Sequence, residues 1–518
     1  MMQFKETILP YLLSAILATA IVYVARRFYI CDRSEYEADC FYNVAIAKQG
    51  PKVFCKKTFP NTDQSIWRDN FSDKELGYHF ILWGLIGIGH FLGWDGNFPF
   101  HYQCIFFVFL YALAYCAILR KLRLNHSWAW ALLLVGSCTI MTYRLMSIRA
   151  YVLSMTLSLG LLLAFLDERF RKWKYRWPFL FAFGAIETWC YSSPHLLLTT
   201  LVPCAFAEFL IDRNWRRLIL SPLVFIAGIL FALTFHPQFP NTFLVFKIQC
   251  INVVNAHILH RDTIPIPGGT EFYMTTFKAL RTNSYNYAVF LAVMIAAFAF
   301  NFRQIFQNDN WEKNYQFNVI AFTAALNFLL SLFIFRFNEY TLAPICLLFA
   351  YIIENTKGNW QKRTAITAAF ICLFMQFHRF DSQKIDPTHN MECKGVAEWV
   401  EKNLPTDTII GNITWDTFPY LYHVLPNYRF SWGLDPAFTW AVNKEIPQIT
   451  HDLCEGKIPT REKFMHAFKT RFLYLHSQND RVAYLMKKNG IQFVYSGKDG
   501  WIFDLAVQPE QIFFQDTQ

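Results

Sequence analysis

The chain has 518 residues, of which 54% are hydrophobic, 18% aromatic and only 17% charged, with a formal net charge of +10. Soluble domains carry about 25% charged residues, so the composition excludes an ordinary soluble enzyme and predicts an integral membrane protein. The excess positive charge falls in short loops between apolar runs, which suits anionic lipid rather than nucleic acid as the partner.

Crossing about 30 Å of hydrocarbon takes roughly 20 apolar residues with every backbone group bonded internally. Such runs predict about eleven transmembrane helices, at 7–25, 101–119, 128–143, 150–166, 177–193, 195–211, 218–235, 285–301, 317–335, 337–353 and 364–378. The segment 77–94, GYHFILWGLIGIGHFLGW, carries five glycines and two histidines and is read as an interfacial or re-entrant helix. That reading leaves RKLR (120–123), DERFRKWKYR (167–176), DRNWRR (212–217) and KGNWQKR (357–363) on one side, which the positive-inside rule makes cytoplasmic. The N-terminus is then cytoplasmic, and the first span is too long for a removed signal peptide and stays as an anchor. The expected fold is an all-α polytopic membrane domain over 1–379, with a large first outer loop at 26–100, followed by a non-cytoplasmic α/β domain over 380–518.

Directly after the first span, RSEYEADCFYNVAIAKQG places Glu37 and Asp39 at the lipid surface, where an unpaired acid gains nothing. Asp39 is read either as a catalytic carboxylate or as an acid at the N-terminus of the amphipathic helix that follows. Next comes RDNFSDKELGYHF, with Asp73, Lys74, Glu75 and His79. Here SDKE reads both as a carboxylate pair around a cation and as a capping box with Ser72 at the cap of a helix beginning near Lys74. Arg144 and Arg149 in YRLMSIRAY either reach a ligand or snorkel to head groups. Glu187, within an apolar run, is expected to hydrogen-bond a neighbouring helix, and His195 either caps the next helix or meets a ligand. Arg336 lies in a tight turn beside Glu339, where a planar guanidinium clamps a phosphate or ties the two helices through the acid. All of these fall on the outer side, and intramembrane or membrane-edge charges are functional candidates by default.

The outer segment 236–284 is too long for a connector and reads as a lid or a surface helix. In the tail, MECKGVAEWVEKN and NDRVAYLMKKNG have helical spacing, the second stopped by Gly490, and DTIIGNI and IQFVYSG are short strands. The aromatics of WDTFPYLYHVLP and FSWGLDPAFTW suit either carbohydrate stacking or a core. Most of the 13 cysteines lie in spans, and the outer ones show no zinc spacing, so no metal or disulfide is assigned.

The order of these features resembles the GT-C superfamily of polytopic glycosyltransferases, which use polyprenyl-phosphate sugars. Its members include oligosaccharyltransferase catalytic subunits, protein O-mannosyltransferases and aminoarabinose transferases. The resemblance rests on the acidic EADCFYNVA after the first span, on FSDKELGYHF, on the arginine-bearing outer turns and on the tail stretch ITWDTFPYLYHVLPNYRFSWGLDPAF. The chain departs from the family in lacking a PP pair after Lys74 and any WWDYG element. What the resemblance implies is an inverting transfer from a polyprenyl-phosphate donor to a glycan, glycolipid or protein acceptor at the periplasmic face of a bacterial inner membrane.

Displacement at an anomeric carbon needs a carboxylate to take the acceptor's proton and cations to stabilise the leaving phosphate. Asp39, Asp73 and Glu75 are the catalytic candidates. Lys74, Arg144, Arg149, His195 and Arg336 are the candidates for donor phosphate, and Glu37, His79, Glu187 and Glu339 those for acceptor or orienting roles. No cofactor is required by these residues, and assistance by Mg or Mn stays open. The rival readings are an O-antigen ligase or polymerase-like enzyme, whose active residues fall in a late loop, and a lipid or solute transporter. A transporter would show repeated halves with broken helices, and the sequence has no such symmetry.

Overall fold

The computed structural model describes residues 2–30, 37–94, 98–136, 139–252, 311–355, 363, 367 and 393–506. In chain order the principal helices are α1 (Met2–Ile30), α2 (Ala38–Gln49), α3 (Leu76–Phe91), α4 (Phe98–Lys121), α5 (Ser127–Gly136), α6 (Thr139–Leu145), α7 (Ala150–Leu166), α8 (Arg176–Cys190), α9 (Leu198–Asp212), α10 (Trp215–Thr234), α11 (Trp311–Phe333) and α12 (Asn338–Asn355). Contacts divide the chain into two units. One comprises Met1–Ser34, Glu75–Phe235 and Thr270–Ile385; the other comprises Glu35–Lys74, His236–Gly269 and Asp386–Gln518.

The first unit is helical among its described residues. Five of its helical segments are long and apolar enough to cross a membrane: Ile8–Phe28, Phe100–Lys121, Pro194–Asp212, Trp215–Thr234 and Tyr315–Phe333. Their outward faces carry the apolar side chains a bilayer solvates, such as Leu9, Leu13 and Ile16 on α1 and Ile219, Leu223 and Leu230 on α10. The chain is thus a multi-pass membrane protein. Described helices also stand at the expected spans 150–166, 177–193 and 337–353, and the span at 128–143 is served by α5 and α6 in succession. The expected spans at 285–301 and 364–378 lie outside the described residues. The segment 77–94 forms α3, 16 residues long.

Small residues set the closest approach in this unit. A Cβ added to Gly228 of α10 would collide with the Phe181 carbonyl oxygen of α8, and one on Gly184 would collide with the Phe225 carbonyl oxygen. The two glycines let the backbones touch, as small residues do between membrane helices. Gly228→Val is therefore expected to lose about 1–3 kcal/mol by overpacking, read as a fall in thermal midpoint in detergent. Gly160→Ala, where the nearest atom is Phe183 Cζ at 3.6 Å, serves as the tolerated control.

The second unit joins the first outer loop to the tail. Its sheet has the order β2-β1-β3-β5-β4, with β1 (Ile409–Asn412) parallel to β2 (Arg429–Phe430) and β3 (Phe472–His476), and β5 (Gly500–Asp504) antiparallel to β3 and β4 (Gln492–Gly497). Beyond the β2 edge the chain from Asn61 to Gln64 adds a further short row. Phe430 N–H donates to Asn61 O, Asp63 N–H to Phe430 O and Gln64 N–H to Ser431 O, each at 2.7 Å. The Asp63 carboxylate, buried, pairs with Arg429 of β2. The predicted tail helices form at Lys394–Asn403 and Asp480–Lys488, and Gly490 has the positive φ of +79° that ends the latter.

The tail aromatics are core rather than surface. Phe418, Tyr420, Tyr422, Trp432 and Phe438 are all buried. Phe418 and Tyr422 stack on each other at 5.4 Å, Tyr42 of α2 stacks on Trp67 at 5.8 Å, and Trp67 lies 5.1 Å from Phe438. Burying such rings supplies most of the free energy that fixes an elongated outer loop against a small sheet.

Candidate functional site

The helix ends of the first unit collect most of the ionisable residues singled out above. Glu187 is in the last turn of α8, Tyr191 follows that helix directly, and His195 lies on a short 3-10 turn opened by Pro194. Arg144 ends α6 and Arg149 precedes α7. Arg336 lies in the 3-10 turn before α12, and Asn338, Glu339 and Tyr340 form that helix's first turn. Consecutive antiparallel helices put a C-terminal end beside an N-terminal one, so turns far apart in sequence meet at one end of the bundle.

There Arg336 donates from Nε at 3.1 Å and Nη2 at 2.6 Å to Tyr191 Oη, with its guanidinium 5.6 Å from the ring centroid. Arg144 Nε pairs with Glu339 Oε1 at 3.0 Å, and both side chains are nearly excluded from solvent, at 12% and 4% exposure. Arg144 and Arg149 flank the Tyr151 ring at 5.1 and 5.5 Å, and the Tyr151 hydroxyl donates to the Arg144 carbonyl at 2.9 Å. His195 stands within electrostatic reach of Arg336. Glu187 is fully buried and accepts from Ser154 of α7, whose hydroxyl shares a further bond with Tyr340 Oη at 2.6 Å. Glu187 thereby makes its hydrogen bond to a neighbouring helix, as its place in an apolar run predicts.

Glu75 and His79 belong to the same unit. His79 is buried, and its N–H donates to Glu75 O at 2.9 Å. Gly77 between them approaches Trp189 O and Cys190 Sγ closely, so the start of α3 rests on the last turn of α8. The predicted capping box does not form: the helix begins at Leu76, Glu75 is its N-cap, and no side chain caps it. The Asp73 N–H instead donates to Gln238 Oε1 at 2.5 Å, so the backbone around Ser72 and Asp73 is held by another segment rather than free to wrap a helix start.

The remaining candidates lie in the second unit. Glu37 is the N-cap of α2, without a side-chain cap bond, and Asp39 is in that helix's first turn, half-buried. Asp73 is buried, and Lys74 sits 6.0 Å from the Phe438 ring. The segment that opens the predicted lid fixes this stretch. Gln238 Nε2 donates to Val53 O at 3.3 Å and Lys56 O at 2.9 Å, and Asn241 Nδ2 to Lys57 O and Phe71 O, both at 3.0 Å. Burial pushes the His236 imidazole down to about 4, against the opposing pull of Asp73. It is therefore neutral near pH 7, and since Nδ1 accepts the Gln238 N–H at 3.2 Å its proton sits on Nε2. The rest of the predicted lid, from 253 on, lies outside the described residues.

Sequence reasoning passed over Tyr191, Ser154, Tyr340, His236, Gln238 and Asn241. The only signal for Tyr191 and Tyr340 was their place about one turn or less from the singled-out charges, and Ser154 had none. Among the described residues, no three His, Cys, Asp or Glu side chains gather as a metal site would require.

No family model and no curated protein matches the chain. Solved structures do. Crystal structures of ArnT from Cupriavidus metallidurans, bound to undecaprenyl phosphate and in the apo state, match at TM-scores of 0.55 and 0.54. Each is 10% identical over 95% of this chain, and the match covers 98% and 97% of the ArnT chains. The Archaeoglobus fulgidus oligosaccharyltransferase, tethered to an acceptor peptide containing the NVT sequon, matches at 0.57, with 11% identity over 96% of this chain and 74% of that one. Both are GT-C glycosyltransferases, and the likeness is one of fold across most of the chain.

Proposed function

We propose that the chain is an inverting glycosyltransferase that moves one sugar from a polyprenyl-phosphate donor to a glycan, glycolipid or protein acceptor at the outer, periplasmic face of a bacterial inner membrane. The observation that carries this reading is the pair of anchored cations at one end of the apolar helices, Arg336 on Tyr191 and Arg144 on Glu339. A guanidinium held in place at the membrane edge has the planar fork geometry that suits a lipid phosphate. The fold shared with an ArnT structure that holds undecaprenyl phosphate supports the same ligand class.

The step is a single displacement. The acceptor's O–H or N–H gives its proton to a carboxylate as the heteroatom bonds the anomeric carbon. The bond from that carbon to the phosphate oxygen breaks on the opposite side, and its electron pair leaves with polyprenyl phosphate. In this reading Asp39 takes the proton, while Asp73 and Glu75, with Glu37 and His79, orient the acceptor. The leaving charge is met by Arg336, with Arg144, Arg149, His195 and Lys74 in support. Preorganised donors aimed at a developing negative charge are commonly the largest catalytic contribution.

Reconstitution with a panel of polyprenyl-phosphate pentoses and hexoses tests the reading. Native protein is expected to turn over at least one of them, and Asp39→Asn to lose about 10²–10⁴-fold in rate, the usual worth of a general base. Equal turnover by the two proteins removes Asp39 from the mechanism, and no turnover of any donor overturns the transferase.

A further inference from the structure

Three polar side-chain atoms have no hydrogen-bond partner among the described residues although solvent does not reach them: Glu187 Oε2 and both ends of the Asn338 amide, Oδ1 and Nδ2. Buried polar groups are almost always paired, because one left bare forfeits its hydration without replacement. The first turn of α12, which carries Asn338, is itself tied to Glu187. Asn338 stands two residues before Tyr340, whose hydroxyl joins Ser154, which in turn donates to the other oxygen of Glu187. Arg336 is two residues before Asn338, and Tyr191 one turn beyond Glu187.

The chemistry of the unpaired set differs from that of its neighbours. Arg336, Arg144 and Arg149 only donate, which suits phosphate oxygens. Glu187 Oε2 and Asn338 Oδ1 add acceptors and Asn338 Nδ2 a donor. A phosphate brings no proton for the Asn338 Oδ1 acceptor, whereas a hydroxyl both donates and accepts. We propose that Glu187 and Asn338 form a hydroxyl-reading subsite for the donor's sugar, adjoining the arginines that take its phosphate, and so select the sugar that is transferred. Ser154 and Tyr340 hold the Glu187 carboxyl for this task and are positioning residues. The inference rests on the donor being a lipid-linked sugar, as proposed above.

The test compares two probes on the full-length protein in detergent, decaprenyl phosphate and decaprenyl phosphate carrying a pentose or hexose, by dissociation constant. Native protein is expected to hold the sugar-bearing lipid more tightly than the bare one. Asn338→Ala, which breaks no existing hydrogen bond among the described residues and so spares the fold, is expected to weaken the sugar-bearing lipid about tenfold, the worth of one hydrogen bond. Bare decaprenyl phosphate should stay within about twofold. Glu187→Ala should do the same, with Glu187→Gln restoring part of the loss because an amide still pairs with a hydroxyl. If Asn338→Ala leaves the sugar-bearing lipid unchanged, or weakens both lipids alike, the subsite is overturned while the transferase reading stands. If the native protein binds neither lipid, both fall together.

Discussion

Arg336→Ala is expected to lower kcat/KM for the polyprenyl-phosphate donor by about 10²–10³-fold, the range found when one preorganised donor to a developing anion is removed. The size follows from how the side chain is held. Nε and Nη2 both donate to the Tyr191 hydroxyl, which fixes the direction of the whole planar fork. Arg336→Lys should recover only part of the loss, because an ammonium restores the charge but cannot reproduce a planar two-bond grip. Tyr191→Phe should cost less than either, since the ring beneath the guanidinium remains and only the hydroxyl is lost. Steady-state kinetics on reconstituted protein would decide, with thermal melting to show that each variant is folded. Native turnover by a folded Arg336→Ala protein would place the phosphate elsewhere.

Glu208→Ala is expected to be the most damaging single change to stability away from these residues. Arg176, at the start of α8, donates from Nη1 at 2.8 Å and Nη2 at 2.7 Å to the two oxygens of Glu208 on α9, with a further bond to Ser221 of α10 at 3.2 Å. Both side chains are buried, at 2% and 0% exposure, and the guanidinium lies about a ring's width from Phe165 and Phe170, at 5.0 and 5.1 Å. Removing the acid strands a cation in apolar surroundings, which costs about 3–5 kcal/mol, while replacing both partners with apolar residues is often neutral. Accordingly, the double variant Arg176→Leu/Glu208→Leu should melt well above Glu208→Ala in detergent. A double variant no more stable than the single one would show that the pair contributes attraction beyond cancelling its own desolvation.

Much of the membrane unit was legible because hydrocarbon admits one answer to a run of apolar residues, and the helices α7, α9 and α10 begin and end within a few residues of the predicted spans. The functional candidates were legible as charges out of place, which is why Arg144, Glu187, Arg336 and Glu339 could be named from sequence. What sequence could not give was their partners. It offered Arg336 to Glu339 as the alternative tie, whereas Glu339 is paired with Arg144, a residue nearly two hundred positions earlier. Ser154 gave no signal and Tyr191 only its nearness to Glu187 and His195, since a tyrosine or serine in an apolar helix has many uses. The capping box failed for a related reason: SDKE satisfies a local pattern, but the Asp73 N–H is claimed by Gln238 from a distant segment. Local rules yield to a long-range hydrogen bond wherever the latter also buries the chain.

The row of residues from Asn61 to Gln64 against Phe430 and Ser431 has a consequence for how the molecule is made. The ribosome delivers the early segment, then the intervening helices, and only afterwards the strand that receives it. Until β2 has been made the outer loop is an unsatisfied half, and the closing event spans more than 360 positions, a non-local pairing that comes late in folding. A secreted fragment cut at Asp386 would correspondingly expose its β2 margin to any passing strand. A faithful water-soluble version must carry the 35–74 segment, spliced or co-expressed, alongside the tail.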